Sequence, residues 1–169
     1  MDNHVNLVSQ EAVKKLKDMA EEIRTCLFCT DVKTNDGSAS CPMDTRMVDE
    51  NGDIWFFSAK DSDKNKAIER DGHVQLFYSD PGKNSYLIVN GTATISQDRK
   101  MIEALWTPVV KAWFKGGKDD PNITLIKVSD VNAYFWDIKG NRMINFLKMV
   151  VSAATGKTLV DAQEGKLTT

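Results

Sequence analysis

Arg46-Met47-Val48-Asp49-Glu50-Asn51-Gly52-Asp53-Ile54-Trp55-Phe56-Phe57-Ser58 is the stretch that decides the fold. Arg46 to Asp49 reads as one strand and Ile54 to Ser58 as its antiparallel partner. Asn51-Gly52 is the turn between them, because this dipeptide accepts the positive φ of a tight hairpin. The apolar run Ile54 to Phe57 has no polar break, so that strand is expected to be buried on both faces for part of its length. Phe56 alternates with Trp55 and Phe57, so at least one of these sets faces a core.

Toward the N-terminus, Cys26 to Val32 reads as a strand and Asn35-Asp36-Gly37 as a hairpin turn. The strand from Ser38 to Cys41 meets Pro42, which suits a sheet edge or a kink. Further upstream, Ser9 can cap a helix with Glu11 in its first turn. Val13, Leu16, Ala20 and Ile23 recur there at helical spacing.

Toward the C-terminus, Ser62 is the N-cap of a short helix that faces Ala67 and Ile68 inward and ends by Gly72. His73 to Ser79 and Ser85 to Ser96 read as strands around the turn Asp80-Pro81-Gly82-Lys83. Asp98 to Leu105 is helical. Thr107-Pro108 predicts a second helix carrying Val109, Val110, Trp113 and Phe114, which ends at Gly116-Gly117. Ile123 to Val128 and Ala133 to Ile138 predict two more strands. Met143 to Ala154 predicts a helix, and the polar tail from Gly156 a loose end. Short strands joined by hairpin turns, with helices inserted between them, predict a mainly antiparallel barrel in one domain spanning 1–169, its core about 12–138.

Composition narrows function. The chain has 169 residues, 41% hydrophobic and 27% charged, as expected of a globular domain. Lys+Arg 22 against Asp+Glu 24 leaves no basic excess for a nucleic-acid backbone. No apolar window reaches a membrane span, and the start Met1-Asp2-Asn3-His4 lacks the order of a signal peptide, so a cytoplasmic protein with reduced thiols is expected.

Several short motifs fail on their own chemistry. Cys26 and Cys29 lie three apart in a strand and so point to opposite faces, which suits buried thiols better than a redox or zinc pair. Zinc would also need ligands from Cys41, His4 or His73, and no metal site is expected. Gly156-Lys157-Thr158 resembles the end of a phosphate loop, but Val151 occupies the place of its first glycine. No Gly-x-Ser-x-Gly occurs, and two histidines offer little general-base capacity, so no catalytic residue is assigned.

One constellation survives. Arg46 begins one strand of the central hairpin and Ser58 ends the other, so the two ends can lie side by side. Lys64 falls in the first turn of the next helix, whose N–H groups and dipole favour an anion. A guanidinium, a hydroxyl, an ammonium and a helix start make a phosphate site in chemical terms.

These residues carry a resemblance. Arg46-Met47-Val48, Ile54-Trp55-Phe56-Phe57-Ser58 with Ser62-Asp63-Lys64, and Trp106-Thr107-Pro108 through Asp119-Asp120-Pro121 together resemble the flavin-binding split-barrel family of pyridoxamine 5′-phosphate oxidases, in particular its bacterial general stress protein branch. The resemblance covers roughly Ala12 to Ile138. It implies a six-stranded Greek-key split barrel and a homodimer with FMN in the cleft between subunits. Arg46, Ser58 and Lys64 would hold the FMN phosphate, and backbone around Met47, Val48 and Phe57 would line the isoalloxazine. Trp136 and the segment Lys111 to Lys118 would approach from the other subunit. Haem is disfavoured, since His4 and His73 are the only imidazoles.

Three departures bear on activity. Asp63 stands where the oxidases carry a second basic residue, with Lys66 as a substitute, and Tyr86 aligns with a flavin-contacting glutamine. Arg142 is the only arginine after Trp136, where the oxidases have an arginine-rich substrate signature. The expectation is therefore an FMN-dependent oxidoreductase of another small molecule, or a flavin-binding stress protein without catalysis, rather than a pyridoxamine phosphate oxidase.

Overall fold

The hairpin forms around Gly52, whose φ of 81° is the left-handed turn conformation expected there. The computed structural model describes residues 3–4, 7–8, 10–34, 39–138 and 162–168. Those residues form strands β1 (Asn3–His4), β2 (Leu7–Val8), β3 (Thr25–Thr30), β4 (Ala39–Asp44), β5 (Met47–Val48), β6 (Ile54–Ala59), β7 (His73–Asp80), β8 (Ser85–Ser96), β9 (Ile123–Ile138) and β10 (Ala162–Thr168). Helices α1 (Gln10–Ile23), α2 (Asp63–Arg70) and α3 (Arg99–Leu105) accompany them. The Ser9 cap, the Asn35-Asp36-Gly37 turn and the Met143 to Ala154 helix predicted from sequence lie outside the described residues.

The strands make one sheet in the order β1-β10-β9-β8-β7-β3-β4, with β6 paired to β9 and β5 to β6. All pairings are antiparallel except those of β1 and β2 with β10. The first part of β9 pairs with both β6 and β8, and its second part with β8 and β10. The expected split-barrel class holds, with more strands than the six foreseen.

Two predicted strands are one. Ile123 to Val128 and Ala133 to Ile138 join as β9, which changes register against β8 between Asn90 and Thr92. Asp130 takes a φ of 52° at that bend. Gly91 is needed opposite it, because a Cβ there would sit 2.8 Å from the Ser129 carbonyl oxygen.

Four further expectations are corrected. The strand at Arg46 is shorter than predicted: β5 holds only Met47 and Val48, although the Arg46 N–H still donates to the Trp55 carbonyl at 2.8 Å. Pro42 does not end β4, because an outer strand needs no donor on its open side. The helix after Thr107-Pro108 is replaced by single 3₁₀ turns at Val110–Ala112 and Gly117–Asp119. Two β-branched valines and a Gly-Gly pair leave too short a run to nucleate an α-helix. The tail is not loose at 162–168, since β10 pairs along β9 and buries Leu167 in the core.

The core has two parts. Inside the barrel, Phe28, Val48, Ile54, Phe56, Leu76 and Phe135 pack together, and α1 lays Ala12, Leu16, Met19 and Ala20 against them. Across β6, Trp55 joins Ile102, Leu105, Val110, Phe114, Ile123 and Leu125, with Phe57 against them. Both faces of β6 are thus covered, as its unbroken apolar run predicts. Each large side chain so buried contributes roughly 1.5–3 kcal/mol. Cys26 and Cys29 are buried and in no disulfide, and burial pushes the Cys26 thiol up to about 12.

Candidate functional site

The start of α2 is built by hydroxyls and one amide. Ser62 is extended (φ −66°, ψ 147°), and its Oγ accepts from the Asn65 N–H at 3.2 Å, the geometry of an N-cap. Asn65 is 1% exposed and turns back to β6 and β9. Its Nδ2 donates to Thr124 Oγ1 at 2.9 Å, and the Thr124 hydroxyl donates to the Ser58 carbonyl at 2.9 Å. That order leaves Asn65 Oδ1 to face Ser58, whose Oγ donates to it at 2.7 Å.

A serine hydroxyl has one proton, and that of Ser58 is committed to Asn65. Ser62 Oγ lies 3.3 Å from Ser58 Oγ; with the Ser58 proton taken, Ser62 is the donor in that long contact, while its oxygen accepts from the helix. Lys64, half-buried in the first turn, forms no ion pair among the described residues, whereas Lys66 is held by Asp63 at 3.1 Å.

Arg46 lies beside the same hairpin. Its side chain is 8% exposed, with one terminal nitrogen 2.6 Å from Asp44 Oδ2 and the other donating to Thr107 Oγ1 at 3.0 Å. Its Nε is buried without a hydrogen-bond partner among the described residues, which is expensive for a charged group. Asp44 also takes Arg24 at 2.8 Å. Partial burial acts to raise the Asp44 carboxyl, but the hydrogen bonds from Arg24 and Arg46 outweigh it and hold the group below its ordinary value.

The other predicted residues are placed as follows. Ser58, Ser62 and Lys64 meet at the β6–α2 junction, while Arg46 is fixed across the hairpin by the loop at Thr107. Val48 is fully buried and its N–H donates to Glu21 of α1 at 2.9 Å, so that donor is already used. Met47 and Phe57 pack on the second core cluster, and Phe57 meets Trp106 edge-to-face at 6.0 Å. Lys111 is exposed on the first 3₁₀ turn. Trp136 is 38% exposed near the far end of β9, its ring 4.5 Å from that of Tyr134.

The sequence reading missed Asn65, Thr124, Asp44 and Thr107. Asn65 carried a signal, since it stands three residues after the cap Ser62, where a side chain can turn back. Thr124 carried none, and Thr107 stood only within a stretch that carries the resemblance; they reach the site through the pairing of β6 with β9 and the path of the loop after α3.

The sequence model of the Pyridoxamine 5'-phosphate oxidase like family matches residues 11–161. Protein bli-3 of Neurospora crassa is 29% identical over 91 residues, 49% of this chain and 44% of that protein. General stress protein 26 of Bacillus subtilis is 30% identical over 78 residues, 44% of this chain and 55% of that protein. The chain thus aligns with about half the length of these curated relatives. A solved protein of Jannaschia sp. assigned to general stress protein 26 superposes with a TM-score of 0.77 at 24% identity, covering 95% of this chain and 99% of that one. A general stress FMN/FAD binding protein of Xanthomonas citri superposes with a TM-score of 0.64 at 29% identity, covering 77% of this chain and 90% of that one. The match over residues 11–161 and the shared fold make this chain a member of the Pyridoxamine 5'-phosphate oxidase like family.

Proposed function

We propose that the chain binds FMN by its phosphate at the β6–α2 junction and works as a flavin-dependent oxidoreductase on a small molecule. The observation that carries this reading is the buried Arg46 guanidinium, whose Nε has no hydrogen-bond partner among the described residues, on the hairpin whose other strand leads into α2. Such a group fits a dianionic ligand and is costly without one. Arg46 and Lys64 supply the charge, and Ser62 a hydroxyl whose long 3.3 Å bond to Ser58 is exchanged for one to the phosphate. Ser58 holds Ser62 and Asn65 in place rather than donating, because its proton is taken. Backbone at Met47 and Phe57 lies beside the ring in this reading. The bound flavin supplies the electron exchange, and the protein supplies binding, orientation and shelter.

A homodimer completes the site. Leu27, Phe77, Ile88 and Tyr134 stand in one cross-strand row on the outer face of the sheet. Leu27 and Phe77 are exposed there, as are Tyr86 and Trp136 in the next row. This is more contiguous apolar surface than a monomer leaves uncovered. A second copy on this face brings Trp136 and the Lys111 to Lys118 segment toward the flavin of its partner. Three cysteines outside any disulfide agree with a cytoplasmic location. Lacking an arginine cluster after Trp136, the chain is not assigned pyridoxamine phosphate as substrate.

The test is calorimetric titration of the purified protein with FMN and riboflavin, followed by stopped-flow absorbance of the loaded protein mixed with NADPH or NADH. Clear preference for FMN and bleaching of the flavin band support the proposal. Equal affinity for both ligands refutes the phosphate site. A flavin that no nicotinamide donor reduces leaves a binding protein without catalysis.

A further inference from the structure

A cleft of about 460 Å³ lies between α2 and one face of the β3–β4 pair. Cys41 of β4 stands in one wall, and Lys66, Ala67 and Arg70 of α2 stand in the other. Phe28 pairs with Cys41 and Thr30 with Ala39, so these four side chains share one face of the two strands. Thr30 lines the cleft at 2% exposure, and its hydroxyl makes no hydrogen bond among the described residues. A buried hydroxyl without a partner in the wall of a cleft points to a ligand group that satisfies it. We propose that Cys41 is a modification site, where an anionic peptide disulfide of the glutathione type leaves a mixed disulfide that fills the cleft and shuts FMN out. The shutting out rests on the reading above, which puts the flavin phosphate at Ser62 and Lys64, residues of this same cleft.

Charge and size choose the ligand. Reactive thiols sit in electropositive, partly open surroundings. Of the three cysteines Cys41 alone is partly exposed, and Lys64, Lys66 and Arg70 line its cleft. The carboxylates Asp31 and Asp63 line it too. A lining of both signs, richer in cations, suits a zwitterion of net negative charge, and glutathione carries two carboxylates and one ammonium. Arg70 is held by Asp31 at only 3.4 Å and Lys66 by Asp63 at 3.1 Å, with both cationic side chains exposed, so these weak pairs exchange for contacts to a ligand. From Lys64 to Arg70 the helix advances roughly 9 Å at its rise of about 1.5 Å per residue, and an extended tripeptide reaches about 10 Å. The volume lies within the range of small-molecule sites. The Thr30 hydroxyl then donates to a carbonyl of the bound peptide.

The step is a thiol–disulfide exchange. The Cys41 thiolate attacks one sulfur of the disulfide, the new Sγ–S bond forms as the old S–S bond breaks, and the departing thiolate takes up the proton that Cys41 released. One disulfide is consumed, and one mixed disulfide and one small thiol appear, with no further oxidant. Cys26 does not displace the adduct, because burial pushes its thiol up to about 12. Cys29 is buried and, next to Phe28 in β3, points to the other face. Removal of the adduct therefore needs an external thiol.

The intact chain is incubated with glutathione disulfide or with cystamine, a disulfide carrying two ammonium groups, and followed by intact mass and peptide mapping. One glutathione on Cys41 is expected, and Cys41→Ser takes none. Arg70→Ala slows the glutathione reaction about two- to fivefold and does not slow the cystamine reaction, which separates recognition by the cleft from the reactivity of the thiol itself. The modified chain binds FMN at least about tenfold more weakly in calorimetric titration, and dithiothreitol restores the affinity. No adduct on Cys41, or an Arg70→Ala variant slowed equally with both disulfides or with neither, overturns the site. An adduct that leaves FMN affinity unchanged overturns the shutting out. An unmodified chain that binds no FMN overturns the parent reading, while an adduct that depends on Arg70 still supports the modification site.

Discussion

Ser58 Oγ donates to Asn65 Oδ1 at 2.7 Å, and that bond ties the end of β6 to the first turn of α2. Both residues are buried, with Ser58 4% and Asn65 1% exposed. Asn65→Ala removes the acceptor of the Ser58 proton and the donor to Thr124 Oγ1 at once. The expected loss is about 1–3 kcal/mol, which lowers Tm by about 2–4 °C per kcal/mol at this chain length. Thermal denaturation by circular dichroism checks it. An unshifted midpoint means that water replaces the amide and the junction is not dry.

Arg46→Ala is expected to weaken FMN by roughly 10- to 100-fold, since each charge-assisted hydrogen bond is worth about 1.5–3 kcal/mol. Riboflavin, which has no phosphate, barely changes. Arg46 loses more than Lys64 does, because a planar fork grips two oxygens. Titrations with both ligands decide the matter: equal losses for FMN and riboflavin would show that Arg46 holds the hairpin through Asp44 and Thr107 instead.

The Asp63 side chain is fully exposed beside Lys64 and occupies Lys66. Asp63→Arg frees Lys66 and replaces a repelling charge with an attracting one. FMN should bind more tightly, by a few-fold, and the gain should shrink as salt rises. The same titration at low and high ionic strength measures it. Weaker binding would place the phosphate away from the first turn of α2.

Stability should fall at both ends of the pH scale for separate reasons. Asp44 titrates below its ordinary value in the folded chain, so it adds stability above about pH 4 that is lost as pH drops through its lowered value. Its side chain is 45% exposed, which limits the effect to less than about 1 kcal/mol. Asp44→Asn should flatten that acid limb. Cys26 works in the opposite direction. It stays neutral in the folded chain up to about 12, while an unfolded thiol ionises near about 8.5. Stability present below that value therefore declines as pH rises between the two. Urea midpoints across pH test both, and an acid limb identical in Asp44→Asn and wild type would remove the first.

Phe77 sits in the exposed row between Leu27 and Ile88. A charge there on each of two facing copies is not tolerated in a dry interface. Phe77→Arg should shift the mass seen by light scattering at micromolar concentration from dimer to monomer, with the folded spectrum retained. A wild-type mass already monomeric would show that this face has another use.

Much of the barrel was legible locally. Asn51-Gly52, the Ser62 cap and the exact span Ser85 to Ser96 follow from turn chemistry, capping and alternation, all of which act within a few residues. Lys64 was legible for the same reason, since a helix start lies where its cap lies. What only tertiary structure decided depends on distant pairing. β10 carries one large inward side chain, Leu167, too weak a pattern to announce a strand until the open edge of β9 receives it. The continuity of β9 through Asp130 exists because Gly91 lets Ser129 approach. At the site, Ser58 reads as an anion donor from sequence, and the fold spends its proton on Asn65 and leaves its oxygen to accept from Ser62. Sequence determines which polar groups are present, but a hydrogen has one destination, and three-dimensional proximity selects it.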